Sequence, residues 1–137
     1  MNQADFTKLK VAISKDLEIK TDSVALAKSA NVPYIYQKYL DIFIKEVRLH
    51  KKLKRDKEKM YKNKYDYYRF SYNHALTAKE IDIFINGDDN YDELCRQYNW
   101  SSIIIEYLEL TLKNISNLSF NISNRIKLRQ FLNGGES

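Results

Sequence analysis

The stretch PYIYQKYLDIFIKEVRLHKKLKRDKEKMYKNKYDYYRF, residues 33–70, holds no glycine, and no proline after its first residue. Its first half carries Tyr36, Tyr39, Leu40, Phe43 and Val47 at helical spacing, an apolar stripe of the kind that docks a helix on a core. Nothing breaks the pattern before about Phe70, which predicts one helix of roughly 35 residues, about 50 Å long at 1.5 Å per residue. The rest of the chain agrees with that reading. Only three glycines and one proline are available for turns among 137 residues, so the expected class is all-α: a small helical domain with one long projecting basic helix.

Toward the N-terminus, Phe6, Leu9, Ile13 and Leu17 mark a short amphipathic helix over residues 4–17, with Asp5 placed favourably in its first turn. Thr21, Asp22 and Ser23 offer capping side chains for a second start, and Pro33 either opens a fresh helix at its first position, the preferred reading, or kinks a continuous one. Toward the C-terminus, Thr77 and Glu80 have the spacing of a capping box, for a short helix running through Ile85 and stopped by Gly87. The acidic run GDDNYDEL, residues 87–94, resembles a calcium loop only superficially, since its glycine and its distal acid are misplaced; helix capping near Asp89 is the better reading.

From Trp100 onward the chain is strongly apolar. At 100° per residue, Glu106, Glu109, Lys113 and Asn117 share one narrow strip, while Ile103, Ile104, Leu108, Leu112, Ile115 and Leu118 lie among the apolar residues around the rest. One core needs a stripe only about 100° wide, so this helix calls for two apolar partners, one of them a candidate second subunit. A last helix over residues 121–132, with Ile122, Ile126, Phe131 and Leu132, should end at Gly134 and Gly135.

The charge is concentrated. Residues 48–69 contain ten Lys or Arg against three acids, a net of +7, so the other 115 residues sum to −2. On a helical wheel Arg48, Lys51, Lys52, Arg55, Lys59, Lys62 and Arg69 fall within about 100° of one another, a single basic stripe. Opposite runs a thin seam of Leu49, Leu53, Met60 and Tyr67, with Tyr61, Tyr65 and Tyr68 on its flank and Lys64 beside it. Cations neutralise phosphates and release counterions, and aromatic rings stack on unpaired bases, so the combination points to single-stranded nucleic acid. A solvated coiled-coil flank is the structural alternative.

Catalysis has no comparable signal. His50, His74 and Cys95 stand apart in sequence, and neither a glycine-rich phosphate loop nor a regularly spaced acid pair is present, so no enzyme activity, metal or cofactor is expected. One cysteine makes no internal disulfide, and neither a cleavable signal pattern nor an apolar span of about 18 residues is found, which reads as cytosolic with no membrane role.

Three pieces together carry a family resemblance: Ala25 with the run ANVPYIYQKYL at residues 30–40; YKNKYDYY at residues 61–68; and an acidic turn followed by Trp100 and the apolar C-terminal helix. They resemble the UvsY family of recombination mediators of T-even-like bacteriophages over nearly the whole chain. That family's motif Lys-Ala-Arg-Leu-Asp-Tyr-Tyr is matched here by Lys62, Asp66, Tyr67 and Tyr68, with Lys64 in place of the arginine and Tyr65 in place of the leucine. The resemblance implies a single UvsY-like domain over residues 1–137, with N-terminal and DNA-binding helices over about 1–70 and a helical oligomerisation region over about 77–133. It implies a single-stranded-DNA-binding protein that helps load a RecA-like phage recombinase onto DNA coated by the phage single-strand-binding protein, in the cytoplasm of the infected bacterial host. It also implies assembly through the C-terminal helices into a closed ring of about seven subunits. The competing readings are a non-specific duplex-DNA or RNA-binding helical protein and a structural coiled-coil protein of a phage particle.

Overall fold

The structure, a computed structural model, describes residues 1–18 and 22–134, without the side chains of residues 22–29 and 119. Four α-helices follow in order: α1 (Gln3–Asp16), α2 (Asp22–Asp66), α3 (Ala78–Asn86) and α4 (Asp89–Leu132), with a π-helical turn, Tyr67–Ser71, directly after α2. No strand occurs among the described residues, and the fold is all-α as expected. None of their helices is long and apolar enough to cross a membrane.

Local chemistry accounts for most of the helix ends. The Asn2 side chain accepts from the Asp5 amide and opens α1. Thr77 opens α3 through a complete capping box: its hydroxyl accepts from the Glu80 amide, and the Glu80 carboxylate accepts from the Thr77 amide at 3.2 Å. Asp88 opens α4 by accepting from the amide of Tyr91, the capping role expected of the acidic run near Asp89. The capping roles proposed for Thr21, Asp22 and Ser23, and the stop at Gly135, lie outside the described residues.

Two expectations are corrected. Pro33 does not begin a helix; it lies inside α2, which spans 45 residues. A proline in a helix interior removes one backbone bond and costs about 3 kcal/mol. Burial of Val32, Ile35 and Tyr39 close to the proline offsets that cost. The separate helices expected over 103–118 and 121–132 are parts of the single 44-residue α4, which also takes in Trp100 and the acidic run from Asp89 onward. Between Asp89 and Leu132 no glycine or proline interrupts the backbone ladder.

The chain gathers into two compact units, 1–44 with 105–137, and 45–104. In the first, α1 buries Phe6, Leu9 and Ile13, α2 buries Val32, Ile35 and Tyr39, and α4 buries Leu108, Leu112, Ile115, Leu118 and Ile122. Phe6 meets Tyr107 edge-on at 5.2 Å, and Asp16 accepts from both Lys38 and the Tyr39 hydroxyl. Burial, with the Asp16 carboxylate beside it, raises the Tyr39 phenol far above its ordinary pKa, so this hydroxyl stays a donor.

Candidate nucleic-acid interface

The second unit contains the whole basic segment. Here α2 lies on α3 and on the first part of α4, and its seam is where they meet. Ile81, Ile85 and Tyr91 form the buried cluster, with Met60, Tyr61, Tyr65, Tyr68, Leu76 and Cys95 packed around it. Further back along α2, Leu53 is buried, His50 stacks on Tyr98 at 4.3 Å, and the Lys57 ammonium stands 4.5 Å from the centre of the same Tyr98 ring. The α2 residues among them reach the seam because the helix repeats the same face every three or four residues.

Two polar contacts tie the seam. The Tyr61 hydroxyl donates to Asp82 at 2.6 Å, a bond that, with some burial, pushes the phenol up to about 12. The Lys64 ammonium meets the Asp88 carboxylate at 3.0 Å, and both side chains are mostly covered. The Tyr91 amide and then Lys64 hold the Asp88 carboxyl below the usual carboxylate range. Asp88 therefore does two jobs at once, capping α4 and anchoring α2.

Turned away from this seam, Arg48, Lys51, Lys52, Arg55, Lys59, Lys62 and Arg69 are all exposed. None of the seven side chains enters an ion pair or a hydrogen bond among the described residues. Seven solvated cations, six on one face of α2 and Arg69 in the turn that follows it, none held in an ion pair by a carboxylate, form a surface whose cheapest exchange partner is a polyanion.

The structure divides the other sequence-selected residues. Lys64 is paired with Asp88, and Tyr65 and Tyr68 lean on the buried cluster, whereas Tyr67 is half exposed. Leu49 and Tyr67, placed in the docking seam by the wheel, are exposed. Of the apolar residues selected for self-association, Ile104, Leu108, Leu112, Ile115, Leu118 and Ile122 are buried within a single chain, and Ile126 is half buried. Phe131 and Leu132 remain 73% and 68% exposed. Phe70, Tyr72 and Phe84, exposed near the end of the basic segment, escaped the sequence reading. The signal that could have found them is the density of aromatic residues continuing past Asp66.

The family model described as "Recombination, repair and ssDNA binding protein UvsY" matches residues 12–135. Among solved structures, two crystal forms of the bacteriophage T4 recombination mediator protein UvsY are similar to this chain. The first, lattice type II, has a TM-score of 0.84 at 18% identity, covering 98% of this chain and 99% of that one. The second, lattice type IV, has a TM-score of 0.82 at 20% identity, covering 96% and 98%. Among curated proteins none matches.

Proposed function

This chain belongs to the UvsY family, whose description is recombination, repair and single-stranded-DNA binding, and from that premise we propose that it is a recombination mediator acting by binding alone. In this reading residues 1–137 work as one unit that holds single-stranded DNA and helps a RecA-like phage recombinase replace the phage single-strand-binding protein, in the cytoplasm of the infected bacterial host. The observation that carries the DNA half of the proposal is the run of seven exposed, unpaired cations along α2 and the turn after it. Lys64 joins them only by exchanging Asp88 for a phosphate, and Tyr65 and Tyr68 act mainly by holding α2 in place.

Self-association supports the same function. A single chain presents few phosphate contacts, while a ring of about seven subunits repeats the stripe and makes binding multivalent. The side chains free to form such contacts are the exposed Phe131 and Leu132 of α4, together with Ile103, Leu110, Phe120 and Leu128. The buried residues between Leu108 and Ile122 are already committed to their own core.

The test is the salt dependence of binding to oligo-dT, read by fluorescence anisotropy, for the wild type, a Lys59→Ala/Lys62→Ala variant and a Lys8→Ala/Lys10→Ala control. Loss of two phosphate contacts should shrink the slope of log K against log salt by about 1.4. The control pair, outside the stripe, should leave it unchanged. Equal behaviour of the two variants would place the DNA surface elsewhere.

A further inference from the structure

Where the basic stripe ends, the surface becomes aromatic. The π-helical turn Tyr67–Ser71 follows α2 without a break. A π turn spaces its side chains differently from an α-helix, so positions after Asp66 leave the wheel that orders the stripe. Phe70 is 77% exposed and Tyr67 52%. Tyr72 and Phe84 are also exposed, and the rings form a connected set: Tyr67 to Tyr72 at 6.3 Å, Tyr68 to Tyr72 at 5.4 Å, Tyr72 to Phe84 at 6.1 Å and Tyr68 to Phe84 at 5.5 Å. Tyr68 also packs on the Ile81 and Ile85 cluster, which fixes the inner rings of the set.

Exposed aromatic side chains gathered on one surface mark a binding surface, because leaving them in water forgoes about 25 cal/mol for each Å² of apolar area. The charge around them decides what binds. Lys62 and the turn's own Arg69 are exposed and unpaired. Of the nearby acids, Asp82 is occupied by the Tyr61 hydroxyl and Glu80 by its capping box, leaving Asp66 as the acid of the motif that faces solvent. The patch is thus apolar, flat-ringed and bordered by cations, a combination complementary to a strand that carries phosphates on one side and unpaired bases on the other.

We infer that Tyr67 and Tyr72, backed by Tyr68 and Phe84, form a stacking platform for the unpaired bases of a strand whose phosphates run along the stripe. The inference rests on the stripe being the DNA surface and adds to it a base-contacting site. The cations supply affinity for the backbone of any strand; the platform supplies the preference for strands whose bases are free. Duplex DNA keeps its base faces stacked on one another and gains nothing from it.

The experiment compares oligo-dT with an abasic strand of equal length, which keeps the phosphates and lacks the bases. A Tyr67→Leu/Tyr72→Leu variant retains apolar bulk at two exposed positions but removes both π faces, so its helicity and melting should match the wild type. Its affinity for oligo-dT should fall about tenfold or more, the lower end of what base–ring stacking contributes. Its affinity for the abasic strand and its salt slope should not change, and Tyr67→Trp should bind oligo-dT at least as well as the wild type. Unchanged oligo-dT affinity in the leucine variant overturns the platform and leaves the patch to a protein partner. An equal loss on both strands overturns it too, since that loss tracks the backbone. The stripe is judged separately: if Lys59→Ala/Lys62→Ala fails to shrink the slope, the underlying DNA reading fails whatever the leucine variant does.

Discussion

Lys62 and Lys64 stand two residues apart in the family motif, and the structure assigns them opposite consequences. Lys62 is exposed and unpaired, while Lys64 meets Asp88 at 3.0 Å with only 26% of its side chain exposed. Seven exposed cations at roughly 0.7 each give a slope of about 5 in log K against log salt for one fully engaged subunit on single-stranded DNA. Raising salt fourfold then weakens binding on the order of a thousandfold. Lys62→Ala should lower the slope by about 0.7, so the same salt step weakens the variant about 2.6-fold less than the wild type. Stability should stay within about 0.5 kcal/mol, because an exposed helix position accepts alanine readily. Lys64→Ala should leave the slope nearly unchanged, since its charge is already neutralised by Asp88 and no condensed counterion is released there. It should instead lower unfolding stability by about 1 kcal/mol, as expected for a largely covered pair that loses one member. Anisotropy titrations at four salt concentrations, with urea denaturation of the same three proteins, read both quantities. If Lys64→Ala shrinks the slope as much as Lys62→Ala, Lys64 leaves Asp88 for a phosphate, and the division of labour argued from the ion pair is wrong.

Acid should expose the double role of Asp88. Its carboxyl is depressed, so its contribution is complete above the unfolded value of about 3.9 and is lost as pH falls through the lower folded value; the urea midpoint of the wild type should therefore drop further between pH 5 and pH 2 than that of Asp88→Asn, and parallel drops would contradict this. Ile85→Ala removes a fully buried side chain from the cluster that holds α2, which should cost about 2–5 kcal/mol in urea unfolding, and a loss below about 1 kcal/mol would show that the site collapses around the deletion. Phe131→Asp with Leu132→Asp alters only exposed positions of α4, so sedimentation should show smaller assemblies while helicity and melting of the chain persist; an unaltered assembly would move the interface away from this end.

The α3 capping box, the amphipathic face of α1 and the six cations of the stripe from Arg48 to Lys62 were all legible in the sequence, because each depends on residues three or four positions apart along one helix. A helical wheel gives the angle at which Lys62 or Leu108 leaves its helix; it does not say what, if anything, lies at that angle. The partners came from contacts distant in sequence: Tyr61 with Asp82, Lys64 with Asp88, His50 with Tyr98. The same limit applied to the apolar run of α4, where patterning called for two partners while only the packed chain showed that Leu108, Leu112, Ile115, Leu118 and Ile122 are spent on their own core. Pro33 had a local preference for opening a helix, and the burial of Val32, Ile35 and Tyr39 prevailed over it. Past Asp66 the wheel itself ceased to apply, because the π-helical turn changes the angular step and presents Phe70 to solvent. Periodicity thus determined which faces of the helices are apolar and which are basic, and tertiary packing alone decided which side chains on those faces are covered and which remain free to bind.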